Sequence, residues 1–319
     1  MRAYVARRAL FAVMLVFLVS SGAMLLTRLA PGDFASALAV EGASPAQVAQ
    51  ERARSGLDRP IASQYFSWLW QAVHLDLGSS LLYRRPVGGL VRERAANTAL
   101  LALAALALAT LGGLPAGVYT GSRRSAGASL VRGLSFVLLS LPSLVTSLVL
   151  VLLAARTGWL PVGGMVSGAS ADASLARWWV DVAWHLPLPA LALALPLAAT
   201  LERLQSQAVA DALGQPFTLA AVARGVPRRR VVWRHALRAS LSPVASVYGY
   251  VLAALLSGSF IVEVVTAWPG LGRLLYDGLR ARDVYLVAGC AAAGSVFLAI
   301  GSLVSDLALA WADPRMRRQ

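Results

Sequence analysis

The sequence predicts an all-α integral membrane protein with about six transmembrane helices and both termini in the cytoplasm, and three observations carry that prediction. Of its 319 residues, 58% are hydrophobic and only 14% are charged, an apolar share above that of an ordinary soluble domain. Six windows hold no Asp, Glu, Lys or Arg: Arg8 to Arg28, Arg94 to Arg123, Arg132 to Arg156, Asp181 to Glu202, Arg238 to Glu263, and Asp283 to Asp306. Each is about 20 residues or longer, enough for a helix to cross roughly 30 Å of hydrocarbon. Finally, arginines gather in the short segments between alternate windows, which is how topology-setting charge is distributed.

Taken in order, Ala9 to Thr27 reads as a retained first helix, because Thr27 to Pro31 offers no small-residue cleavage site of the A-x-A kind. Residues 1–29 therefore form a basic tail and helix one. Residues 30–97 form an external segment: its seven arginines are nearly balanced by Asp33, Glu41, Glu51, Asp58, Asp76 and Glu93, and a loop of that length is translocated largely regardless of charge. Within it, SPAQVAQERARSGL predicts a helix capped by Ser44, with Pro45 in its first turn and Gly56 past its end. QYFSWLWQAVHLDLG places Tyr65, Trp68, Leu69 and Ala72 at helical spacing, suited to packing on the helix ends or to the membrane interface.

Residues 98–319 are expected to form a five-helix core with a large cytoplasmic loop at 203–238. Gly112, Gly113 and Pro115 in the second window offer a break in that helix, and Pro187, Pro189 and Pro196 a kink in the fourth; the other reading is ordinary kinking and close helix packing. Arg2, Arg7 and Arg8, then Arg123, Arg124 and Arg132, then the 203–238 loop, then Arg315, Arg317 and Arg318 all fall on one side, which the arginine bias makes the cytoplasm.

Chemistry is nearly absent. Every one of the 29 basic residues is arginine, so there is no P-loop lysine and no side-chain Schiff base. Cys290 is the single cysteine, read as apolar filler, and permits no internal disulfide. His74, His185 and His235 fall on both sides of the expected membrane, which excludes a shared metal or catalytic site and leaves no cofactor expected. No ionisable group is expected well inside a span, so an ion relay is not foreseen either. The net charge of +14 comes from short scattered groups, a pattern that points away from nucleic acid.

What remains is the densest basic stretch, FTLAAVARGVPRRRVVWRHALRASLSP, with Arg224, Arg228, Arg229, Arg230, Arg234 and Arg238 between positions 224 and 238. Wound at 100° per residue, Phe217, Ala220, Ala221, Arg224 and Gly225 share one face of small residues flanked by an aromatic and a cation, a surface that fits a groove on another protein. Arg228 to Arg230 serve topology first, with anionic lipid or an acidic partner as secondary contacts.

The stretch LERLQSQAVADALGQPFTLAAVARGVPRRRVVWRHALRASLSP resembles the cytoplasmic coupling loop of permease subunits in binding-protein-dependent ABC importers of the dipeptide/oligopeptide/nickel branch. Ala221, Ala223 and Gly225 match that pattern. Phe217 stands for its tyrosine and Arg224 for its lysine, and Arg234 to Arg238 reproduce its RHALR. Leu219 and Val222 depart from it, occupying positions where arginine is common. Further similarity runs along the chain: APGD, LDRPIASQYFSWLWQAVHLDLGSSL, RPVGGLVRERAANTALLALAAL, GWLPVGG, HLPLPALALALPL, AWPGLGRLLYDGLRARDVYLV and ADPRMRR.

The resemblance implies the type I ABC importer permease fold, in the variant with a large external segment after helix one, in a bacterial inner membrane. It implies as partners a second homologous permease, two cytoplasmic ATPase subunits and an external solute-binding protein, with ATP hydrolysis confined to the ATPases. Phe217, Ala220, Ala221, Arg224 and Gly225 would then be the ATPase-coupling residues. Di- or oligopeptides are the first expected cargo, with nickel chelates, glutathione or sugars as alternatives. A membrane scaffold or receptor that transports nothing is the reading from a different class.

Overall fold

The computed structural model describes residues 2–36, 42–168 and 174–312; Glu41 and the arginines at 315, 317 and 318 lie outside them. The described chain runs α1 (Arg2–Leu29), α2 (Pro45–Arg54), α3 (Ile61–Val73), α4 (Val87–Ser122), α5 (Ala126–Ser140), α6 (Ser143–Thr157), α7 (Leu175–His185), α8 (Pro187–Leu213) and α9 (Pro216–Ala223). A turn at Arg228–Arg230 and a π-helical segment at Val231–Ala236 lead into α10 (Leu237–Ala245), α11 (Tyr248–Val265), α12 (Leu271–Ala281) and α13 (Val284–Ala312). The chain divides into two compact units, one of Met1–Ala99 with Pro269–Ala299 and one of Leu100–Trp268 with Ile300–Gln319.

In the first unit the expected cap is present: Ser44 Oγ accepts from the Gln47 amide while the Gln47 side chain accepts from the Ser44 amide, and Gly56 follows the helix at φ +64°. α3 lies along α1, with Trp68 buried against Met24, Val284 and Ala288 and with Tyr65, Leu69 and Ala72 packed around them. Tyr65 also donates to Ser21 Oγ at 2.9 Å. The four residues at helical spacing thus form the packed face, while Phe66, Trp70 and Val73 on the other face stay exposed. Cys290 sits in a second cluster with Val87, Leu90, Leu274 and Leu286. Asp283 caps α13 through the Leu286 amide and accepts from Ser80 Oγ at 2.6 Å, tying the loop before α4 to the start of the last helix.

Asp33 holds the chain just after α1. Arg52 Nε and Nη2 donate to its two oxygens at 2.7 and 3.1 Å, and the Ser36 amide donates at 2.7 Å. Burial alone pushes the carboxyl up, but the Arg52 guanidinium and the Ser36 amide outweigh it and hold Asp33 below its ordinary value. A carboxyl with a lowered folded-state value contributes stability that is present above its unfolded value and is lost as pH falls through the folded one. Acidification therefore removes this contribution, and Asp33→Asn flattens the acid limb of a plot of Tm against pH. Because the Arg52 side chain is 38% exposed, the expected loss at neutral pH is about 1 kcal/mol or less.

In the second unit α8 is the central helix, packed by α5, α6, α10 and α11. α4 approaches it through Gly113, Gly117 and Gly121, one turn apart: a Cβ at these positions would lie 2.6 Å from the Ala198 carbonyl, 2.6 Å from the Glu202 carbonyl and 2.3 Å from the Ser206 carbonyl. Of the two sequence readings for Gly113 and Pro115, close packing is the one observed. α4 continues unbroken through Pro115 to Ser122.

Among the described residues four helices are long and apolar enough to cross a membrane: Arg7–Leu29, Val87–Ser122, Pro187–Leu213 and Val284–Val304. The third charge-free window is occupied by α5 and α6, which meet at 107°. The break falls at Leu141, extended at φ −93° and ψ 118°, the conformation forced on a residue that precedes proline. The fifth window is divided between α10 and the 18-residue α11.

α8 continues past the charge-free window to Leu213, so Glu202 lies within the helix and not at its end, and it is buried, 2% exposed.

Candidate functional site

α9 begins where α8 stops. Pro216 occupies its first turn, where the missing amide hydrogen costs nothing. Thr218 anchors it: Oγ1 lies 2.8, 3.0 and 2.7 Å from the carbonyls of Ala212, Leu213 and Gln215, satisfying the end of α8 with a side chain from the next helix. The far end closes in a Schellman motif. The Val226 amide donates to the Ala221 carbonyl at 3.1 Å and the Gly225 amide to the Val222 carbonyl at 2.9 Å. Gly225 sits at φ +79°, which a residue with a Cβ adopts only at a cost.

The structure sorts the five sequence-predicted residues into two groups. Phe217, Ala220, Arg224 and Gly225 are exposed, Phe217 by 46%. Arg224 Nε folds back onto the Ala220 carbonyl at 3.3 Å. Ala221 does not join them: it is fully buried, because α9 rests on the face formed by Thr218 and Ala221, three positions apart. That is a correction to the predicted face. The outward surface instead takes in Leu219 and Val222, each 57% exposed, the two positions where the sequence departs from the expected arginines. The helical wheel alone did not find them because nothing in an eight-residue apolar helix says which side faces down.

Earlier along α8 lies a polar group that the sequence reading missed. Thr120 Oγ1 donates to Glu202 Oε1, and Gln205 Nε2 donates to Ser240 Oγ at 2.7 Å. All four side chains are buried. Glu202 Oε2 and Gln205 Oε1 have no hydrogen-bond donor among the described residues. The spacing of Glu202 and Gln205, i and i+3 on one helix face, was the available signal.

The site is a short helix seated through Thr218, with an apolar exposed side and a glycine-terminated end.

Known proteins similar to this chain match it over 99% of its length. A family model described as binding-protein-dependent transport system inner membrane component matches residues 113–318, and one for the N-terminal part of such membrane components matches residues 1–82. A putative peptide transport system permease protein of Brucella abortus is 35% identical over 320 residues, covering 99% of each chain. The oligopeptide transport system permease protein AppB of Bacillus subtilis is 31% identical and OppB of Mycobacterium bovis 32% identical, each again over 99% of both chains.

Proposed function

We propose that this chain, which belongs to the family of binding-protein-dependent transport system inner membrane components, is the permease subunit of an ATP-driven importer of di- or oligopeptides. The peptide assignment rests on the names of the relatives matched end to end. The observation that carries the mechanism is α9, an exposed helix whose hydroxyl anchor is bonded to the end of the central helix α8. In this reading a second, homologous permease completes the pathway, an external binding protein delivers the peptide, and two ATPase subunits grip α9 from the cytoplasm. Movement of the ATPases pulls on α9, and the Thr218 contacts pass that movement into α8.

Two experiments test the reading. The purified chain alone is expected to hydrolyse no ATP, and peptide uptake into vesicles should appear only when ATPase subunits are reconstituted with it. Hydrolysis by the isolated chain, or ATP-independent uptake, contradicts the proposal. For topology, Cys290→Ala provides a cysteine-free background. Ser125→Cys and Gln215→Cys should be shielded from an impermeant thiol reagent in intact cells, whereas Ala43→Cys should be labelled. The reverse pattern overturns the orientation given by the arginine bias.

A further inference from the structure

A cleft of about 240 Å³ opens where α4 ends. Val118, Tyr119, Ser122 and Arg123 line it from that helix and its exit, and Arg228, Arg229, Val232 and Trp233 line it from the turn that follows α9. Its three arginines are exposed and none forms an ion pair among the described residues. Arg228 has a structural task, since its Nη2 donates to the Ser122 carbonyl at 2.9 Å and covers the negative end of α4. Arg123 stands over the Tyr119 ring at 5.4 Å, and Arg229 has no ion-pair partner among the described residues. Three positive charges in one cleft repel one another, so a bound anion removes a cost as well as making contacts.

The walls say which anion. Val118 and Val232 are buried and make an apolar floor, while Trp233 is 52% exposed at the rim. Trp233 is carried by the π-helical segment Val231–Ala236, a wide turn of a kind frequent at functional sites. Ser122 ends α4, a 36-residue helix long enough to cross the membrane and continue past it, and Trp and Tyr rings with arginines are the side chains that meet lipid headgroups. Arginine matches phosphate oxygens with paired N–H donors. The cleft is smaller than the roughly 300 Å³ at which sites for drug-sized ligands begin. It accepts a headgroup whose acyl chains remain outside.

We propose that this cleft binds the phosphodiester of an anionic membrane lipid, held by Arg123 and Arg229 with Tyr119 and Trp233 at its sides. This inference needs only that the chain is embedded in a membrane, so it stands or falls separately from the peptide-import reading. A free phosphate or a nucleotide shares the recognised chemistry, and the test separates these sources.

The full-length chain in zwitterionic detergent is titrated with short-chain phosphatidylglycerol or phosphatidylcholine, and bound lipid is counted by native mass spectrometry. Phosphatidylglycerol should bind at least tenfold more tightly than phosphatidylcholine. Arg123→Ala with Arg229→Ala should remove that preference, whereas Arg54→Ala with Arg59→Ala, an equal loss of charge in the external segment, should retain it. Arg123→Gln with Arg229→Gln, which keeps side-chain length, guards against a folding defect and should behave like the alanine pair. Equal binding of the two lipids overturns the proposal, as does an undiminished preference in the glutamine pair. Displacement of phosphatidylglycerol by equimolar inorganic phosphate or ATP would assign the cleft to a soluble phosphate and overturn the lipid assignment.

Discussion

Gly117→Val should abolish accumulation of the folded chain, while Gly112→Ala, one residue before the glycine series in the same helix, should be tolerated. A Cβ at Gly117 would lie 2.6 Å from both the Glu202 carbonyl oxygen and the Gln205 Cβ, and neither is the far end of a flexible side chain. α4 must then move away from α8, which opens the cluster containing Leu101, Ala105, Ala109, Leu197 and Leu201. Overpacking of this kind costs about 1–3 kcal/mol where the surroundings yield, and more where backbone is struck. In lipid no hydrophobic force pushes the helices back together, so close approach through small residues is the main source of their attraction. At Gly112 a Cβ meets nothing within 4 Å, and alanine there gains up to about 1 kcal/mol of helix propensity. Thermal stability in detergent, read by size-exclusion chromatography after heating, separates the two variants; equal stability would refute the packing argument.

Gly225→Glu should leave the chain folded and able to pair but lower ATP-driven uptake at least tenfold. The position has open space around it, so the substitution makes no clash within the chain. It does place a side chain at φ +79°, costing roughly 1–2 kcal/mol, and it sets a carboxylate beside the surface proposed to dock the ATPase. Gly225→Asn is the control, because asparagine tolerates the left-handed conformation; it should keep most of the uptake. Ala221→Glu is expected to fail differently. With Ala221 fully buried, a carboxylate there must unseat α9 and destabilise the chain, so it reports on folding and not on docking. Uptake by Gly225→Glu equal to that of the parent, in the presence of co-purified ATPase subunits, would remove α9 from the coupling path.

Much of this was legible in the sequence wherever a local rule decides. Ser44, Pro45 and Gly56 specify a capped helix without reference to the rest of the chain, and the spacing of Tyr65, Trp68, Leu69 and Ala72 marks a packed face. Charge counting was less informative inside the windows. It is blind to proline, so it gave one helix from Arg132 to Arg156 where Pro142 forces two at 107°. It also ends each window at the first charge, so Glu202 was read as a boundary although the helix continues for more than two turns beyond it. α9 itself was recognised from its residues, but which of its sides faces down depends on Thr218 reaching the carbonyls of α8. That is tertiary information, and the apolar pattern of an eight-residue helix does not contain it.

The small residues along α4 have one further consequence. Ala105, Ala109, Gly113, Gly117 and Gly121 recur at every fourth position, so the groove they make looks nearly the same after a shift of one helical turn, about 5.4 Å. A periodic interface of this kind gives close contact without fixing its own register. A contact that does not repeat joins the two helices, from Thr120 to the buried Glu202. Burying an acid is expensive. What it provides here is an index mark, since any offset by a turn separates that pair and leaves the carboxylate without its donor.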